Sequence, residues 1–541
     1  MLRKLSLGLV LAYAAFAPAA RAQTIVFTPS TTSLSPTGGS LTFTTTISYS
    51  TTPSVLAFST TLPSGWSFLS GANLPPVAPA AGSTGTLSFS YITTPASPAS
   101  FSFNVSYPAG LSGLQPLATS TITRDTAGSS AVTTTGPTVT LVAPPSSFTW
   151  VGDVELHNGN WSSASNWSPN GVPNNSGLAT YSAQVSLGTS TIAAGASFTL
   201  NKLLLLGGTI NNLGLLTLTD AGSSWAGGVL TGAGQLVNAA GAQLTASGSV
   251  SHDFNQQTIT NQGTFAWVGG GNLASGNGGT FVNAAGATFI DTSSTNSATP
   301  TRITNSGFGG AFTFSNAGSY VKSGAGETKI DVPFANSGSI TVAAGNLHFD
   351  STFTQSAGSL FLANGAMFQF DNGLNLAAGS LTGAGTVSGA VTNSAVISPG
   401  SPIGQLNIQG ALTLLSTSQL VFDLGGTAQG TTYDFLSVSG AATLGGTLSL
   451  NLVGGFPSAT ANGTTFTLIT APSLTGTFTN AANGSRIFAN GTTGSFIVNY
   501  TPTSLTLTGF QFAAIPEPST WALFATGLGT LALAALRRRR S

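Results

Sequence analysis

The side chains best suited to proton transfer or metal ligation near neutral pH are three histidines, and they stand far apart at His157, His252 and His348. Only His252 has an ionisable neighbour in sequence, Asp253, and adjacent residues of a strand point to opposite faces. Asp153 and Glu155 are two residues apart and could share a strand face, as could Lys329 and Asp331. Polysaccharide-cleaving chemistry needs clustered carboxylates, a metal or an adjacent base. A solvated strand edge accounts for both pairs more simply. The chain has no cysteine, so thiol nucleophiles, thiolate metal sites and disulfides are excluded. It also lacks the calcium repeat Gly-Gly-x-Gly-x-Asp, a phosphate-binding loop, HExxH and GxSxG. The expectation is a protein with no catalytic constellation, no cofactor and no metal site, and therefore not an enzyme. A different chemistry is offered by Trp150, Trp161 and Trp167, whose faces could stack on pyranose rings. The same three rings could instead cap the open end of a solenoid, and that structural reading is preferred.

Charge narrows the partners. The 541 residues hold 13 basic and 13 acidic side chains, but Arg3, Lys4 and Arg21 lie near the N-terminus and Arg537 to Arg540 at the other end. In the body between Gln23 and Phe512 six Lys and Arg face twelve Asp and Glu, a balance of −6. So sparse a charge cannot neutralise a run of phosphates, which argues against nucleic acid. Solubility must rest on Ser, Thr, Asn and Gly, as in β-rich exported or glycosylated proteins. Disorder is the other reading of such a composition, and the alternating Phe, Leu, Ile and Val disfavour it.

The N-terminus carries Arg3-Lys4, an apolar run from Leu5 to Ala17 and then Ala20-Arg21-Ala22 before Gln23. This is a secretory signal peptide over 1–22, with signal peptidase expected to cut between Ala22 and Gln23. Its apolar core is too short for a permanent span.

Over 24–145 apolar residues alternate with Ser and Thr, as in Leu41, Phe43, Thr45, Ile47, Tyr49 and in Phe101, Phe103, Val105, Tyr107. Period two predicts strands with one buried face, and their number and turn spacing predict an immunoglobulin-like β-sandwich. Residues 146–175 form a Trp-rich segment. Over 176–410 a unit apolar-x-Asn-x-Gly-x-apolar recurs: Ile259, Asn261, Gly263, Phe265; Phe314, Asn316, Gly318, Tyr320; Phe334, Asn336, Gly338, Ile340. Val-Asn-Ala-Ala-Gly-Ala stands at 237–242 and again at 282–287. Asn and Gly tolerate the left-handed backbone of a sharp corner, so the unit predicts a right-handed parallel β-helix of stacked coils of roughly 20 residues. Residues 411–512 are expected to form a β-hairpin cap, with Gly445-Gly446 as a tight turn. The fold class is all-β, ending in a single hydrophobic helix.

That helix belongs to a three-part tail over 515–541: Pro516-Glu517-Pro518, the apolar stretch 521–536, then Arg537, Arg538, Arg539 and Arg540. The tail resembles the PEP-CTERM sorting signal in order and spacing. The segments Trp150-x-Gly152 to Gly171-x-Pro173, and Ile397 to Leu406 with Tyr433 to Leu436, resemble modules of autotransporter-like β-helix surface proteins. The apolar stretch would sit in the membrane as a helix of about 24 Å, with the arginines as a positive-inside anchor. The two prolines keep the motif extended, as a protease cleft requires. The resemblance implies processing by an exosortase, export by a Gram-negative bacterium and a final place at the cell surface or in the extracellular matrix. Two functions are then open: a structural or adhesive component, or a carbohydrate-binding one contacting extracellular polysaccharide. A β-helix polysaccharide-degrading enzyme is the third.

Overall fold

A computed structural model describes residues 23–512, apart from 33, 35–37, 109–110, 112, 127–128, 144–145, 176–179, 294–297, 308, 457–462 and 493. The expected signal peptide and its cleavage point at Ala22, the sorting motif, the hydrophobic helix over 521–536 and the arginine anchor lie outside the described residues. Two compact units are present: the first runs to Phe148 and takes in Pro173–Ser182, and the second comprises Thr149–Val172 and the chain from Ala183 onward.

In the first unit, strict apolar alternation gives antiparallel strands that bury alternate side chains. One sheet orders Gln23–Pro29, Gly39–Tyr49, Ala99–Tyr107 and Ser67–Ala72, and a second orders Thr86–Tyr91, Val55–Thr61, Thr119–Arg124 and Val132–Thr135. This is the A-B-E-D and C-F-G pairing of an immunoglobulin-like sandwich, with Thr86–Tyr91 added at the edge of the second sheet. Rings of the two sheets interlock, with Phe58 at 5.7 Å from Phe101 and Phe89 at 5.0 Å from Phe103.

The second unit is a parallel β-helix. Each coil contributes one short strand to each of three long sheets, which contain 15, 17 and 13 described strands. A representative coil runs Thr209–Asn212, Leu215–Leu218, Ser223–Trp225, and the next begins at Val229–Thr231. Ile210 stacks on Leu230 and Leu216 on Leu236, all buried. Because each coil places the same apolar positions inward, the core becomes columns of like side chains. Phe281, Phe314 and Phe334 stack nearly parallel at 4.8 and 4.7 Å. Each such ring gains about 1.5–3 kcal/mol from leaving water, an amount that no single coil could collect alone.

The repeated Asn and Gly do a different job from the one their types suggested. The repeat asparagines sit inside strands, and among the described residues the left-handed non-glycines are Asn73, His157, Gln256 and Asn277. Asn238, Asn261, Asn283, Asn316, Asn336 and Gln355 are buried register partners in successive coils. Each side-chain amide donates to the next side-chain oxygen, at 2.7, 2.8, 2.7, 2.7 and 2.8 Å in turn. The second amide hydrogen reaches a backbone carbonyl, as from Asn283 to Ser319 at 3.1 Å. The glycine two residues on is required by close approach rather than by φ. A Cβ on Gly318 would stand 2.3 Å from the Ala287 carbonyl oxygen, and one on Gly338 2.0 Å from that of Gly318.

The coils also run further than expected. Leu412–Leu414, Ala442–Leu444 and Leu474–Gly476 stack in parallel, as do Gln419–Leu424 and Thr447–Leu452. Gly445-Gly446 is therefore a corner between two sheets, not a hairpin turn, and coils continue well past residue 410. At the C-terminal end the pairing turns antiparallel, where Arg486–Phe488, Gly494–Tyr500 and Ser504–Phe512 zip together and close onto Phe466–Thr470.

Asp434 shows why the Ile397 to Leu406 segment and the Tyr433 to Leu436 segment occur together. Its buried carboxylate accepts the Gly404 N–H at 2.9 Å and the Asp423 N–H at 2.7 Å, pinning one coil's loop to the next. Burial pushes its pKa up to about 7, against the pull of those donors. The folded state therefore holds a proton that the unfolded chain releases near pH 4. Stability from this site is full below that value and lost as pH rises through 7, by at most about 4 kcal/mol. Urea midpoints of the parent and of Asp434→Asn should show this: the variant starts less stable at pH 4.5, and the gap narrows by pH 8. A gap that widens would refute the assignment.

Candidate functional site: a charged staircase on the outer face

The 17-strand sheet carries ionisable side chains on its solvent face over successive coils. Arg302, Lys329, His348 and Gln369 occupy one outward register column. The residue that follows each of the later strands is an aspartate: Asp331, Asp350 and Asp371. Each basic group reaches the aspartate of the next coil. Arg302 meets Asp331 at 2.7 Å, Lys329 meets Asp350 at 2.9 Å, and His348 Nε2 meets Asp371 at 2.9 Å. The other His348 nitrogen, Nδ1, faces Glu327 Oε1 at 2.9 Å. Gln369 donates to Asp371 at 3.1 Å. Asp371 sits below the usual carboxylate range: some burial opposes this, and the hydrogen bonds from Gln369 and His348 outweigh it.

His348 therefore does not stand alone, as its place in the sequence suggested. One ligand atom each from His348, Asp350 and Asp371 lies within 4.8 Å of the others. Lys329 and Asp331 do not pair with each other, since each bonds a different coil. A strand-end pattern could have revealed the column: Lys329-Ile330-Asp331, His348-Phe349-Asp350 and Gln369-Phe370-Asp371 recur once per coil.

The other candidates resolve into structure. Trp150, Trp161 and Trp167 are all buried, with Trp150 and Trp161 edge-on to Trp167 at 5.0 and 4.6 Å. Their indole N–H groups are used inside as well: Trp150 donates to the His157 carbonyl at 2.7 Å, and Trp167 to that of Trp161 at 2.8 Å. No ring face is left for a sugar. Trp161 instead packs on Phe198 of the first coil, 5.9 Å away, covering the end of the solenoid. Asp153 and Glu155 lie in a turn rather than on a strand face, and Asp153 accepts the Leu156 N–H at 2.7 Å, which lowers its pKa. His252 is fully buried edge-on to Trp225, and Asp253 points outward from the same strand. Burial depresses the His252 pKa, and its Nε2 bonds the Trp225 and Ser247 carbonyls at 3.0 and 3.1 Å.

A second ionic group lies inside the solenoid. Asp291 and Lys322 are register partners with no exposed side-chain surface, their charges 4.0 Å apart. Asp291 also accepts from Tyr320 at 3.1 Å, Thr328 at 2.6 Å and the Ser293 N–H at 2.9 Å. Lys322 donates to the Ser293 and Gly324 carbonyls at 3.2 and 3.0 Å. Burial lowers the lysine pKa and, with the charge of Asp291, raises that of Tyr320 well above its ordinary range. No substrate can reach this group, so it is a structural junction.

Among the described residues no helix is long and apolar enough to cross a membrane. No curated protein matches the chain. Among solved structures, the full-length major pilin SpaD from Corynebacterium diphtheriae is similar at 10% identity and a TM-score of 0.20, over 25% of this chain and 38% of the pilin. A likeness so short says nothing of function. Residues 514–540 match the PEP-CTERM protein-sorting motif, which implies export to the cell surface or beyond and processing by an exosortase.

Proposed function

We propose that this protein is a structural or adhesive component of the cell surface or extracellular matrix, and that it is not an enzyme. The observation that carries the reading is the combination of a C-terminal sorting motif with an unbroken stack of coils reaching Leu474–Gly476. Such a body presents long polar outer faces and spends its buried polar groups on coil-to-coil bonds. The carbohydrate-binding alternative rested on three tryptophans that are buried. In this reading signal peptidase removes 1–22, and the stretch 521–536 holds the chain in the membrane with Arg537 to Arg540 on the cytoplasmic side. The exosortase then cuts near Pro516-Glu517-Pro518, releasing the body to the surface of a Gram-negative cell.

The test is fractionation of cells expressing the parent chain and a variant with Pro516, Glu517 and Pro518 replaced by alanine. The variant is expected to accumulate in the membrane at the larger, uncut mass. Unchanged mature size and location would end the sorting reading. Turnover of any polysaccharide by the purified body would end the non-enzymatic one.

A further inference from the structure

The His348 cluster poses a chemical problem that hydrogen bonds between its own members do not solve. Both ring nitrogens face carboxylate oxygens at 2.9 Å, Nδ1 toward Glu327 and Nε2 toward Asp371. A neutral imidazole has one N–H, so one of these contacts sets a bare nitrogen lone pair against a carboxylate. Only an added cation, a proton or a metal ion, removes that repulsion. The surrounding charge points the same way. Arg302 and Lys329 face four carboxylates, those of Glu327, Asp331, Asp350 and Asp371.

A separate observation is the orientation of the ring: the Nδ1 contact with Glu327 fixes the imidazole from behind and leaves Nε2 directed at Asp371, as an outer carboxylate does for a metal-binding histidine.

We propose that His348, Asp350 and Asp371 form a binding site for a divalent transition metal, Zn²⁺ in the first instance, on the outer face of the solenoid. The three ligand atoms already converge within 4.8 Å. One imidazole with two carboxylates is a set that favours Zn²⁺ over the all-oxygen preferences of Ca²⁺ and Mg²⁺. Gln369, donating to Asp371, and Lys329, bonded to Asp350, orient the carboxylates from outside the sphere. The ligands come from two successive coils, so the ion acts as a clamp between them.

The experiment uses the full chain, equilibrated with Zn²⁺, freed of excess by gel filtration and assayed for metal by mass spectrometry. One Zn²⁺ per chain is expected, falling to background in His348→Ala and in Asp371→Asn. Arg302→Gln, which alters the staircase away from the three ligands, is expected to keep its metal. Chelator should lower the thermal midpoint of the parent and leave those of the two ligand variants unmoved. The proposal is overturned if the parent retains no Zn²⁺, if the ligand variants retain as much as the parent, or if Arg302→Gln loses it equally. Far-UV circular dichroism of each variant identifies a folded chain, and Asp371→Asn preserves side-chain shape should His348→Ala unfold.

Discussion

Replacing Lys322 with methionine is expected to cost about 3–5 kcal/mol of stability. Methionine matches the length and fills the space, so the loss is electrostatic. Asp291 would keep its bonds from Tyr320, Thr328 and Ser293 but lose the cation paired with it, at a site with no exposed side-chain surface. The Ser293 and Gly324 carbonyls would lose a donor at the same time. The double variant Lys322→Met with Asp291→Asn removes both charges while leaving Tyr320, Thr328 and Ser293 an oxygen to donate to, and is expected to recover much of the loss, because the pair cost two desolvations to bury. Urea unfolding followed by circular dichroism reads both. Equal losses in single and double variants would mean that the charge pairing is not what holds the site.

The second large effect is expected at the middle of the amide ladder. Asn283→Leu leaves the Asn316 side-chain oxygen and the Ser319 carbonyl without their donor, and takes from Asn261 the oxygen it donates to. Each buried group orphaned in this way costs about 1–3 kcal/mol, so a total near 2–4 kcal/mol is expected after the gain from burying leucine. Asn238→Leu, at the end of the ladder, should cost less. Its own oxygen already lacks a partner, and it strands fewer neighbours. Equal costs at the two positions in thermal unfolding would show that the ladder does not act as a chain.

How much of this was legible in the sequence follows from the range of the interactions. The alternation around Phe43 and Phe103, and the recurrence of apolar-x-Asn-x-Gly, reflect contacts repeated at every strand or every coil, so pattern alone exposed a sandwich and a solenoid. The role of the repeat was another matter. Asn and Gly together read as a left-handed corner, whereas the asparagine needed a buried partner one coil away and the glycine needed room for a passing carbonyl. Gly445-Gly446 misled for the same reason, since a corner between sheets and a hairpin turn place the same demands on local backbone. His348 looks solitary in the sequence because its partners Glu327 and Asp371 lie 21 and 23 residues away and become neighbours only when coils stack in register. The tryptophans were ambiguous at the level of residue type, and burial alone decided between capping and stacking.

The amide ladder also bears on how such a body changes length over generations. Each interior amide asks only for another amide above and below it, so a whole coil can be gained or lost without leaving an unpaired group inside the stack. The duplicated Val-Asn-Ala-Ala-Gly-Ala places its asparagines at 238 and 283, two rungs apart with Asn261 between them. That is the trace expected if coils were copied in a block. The length of the solenoid is then adjustable in steps of one strand spacing, about 4.8 Å per coil, with no redesign of the rungs already in place.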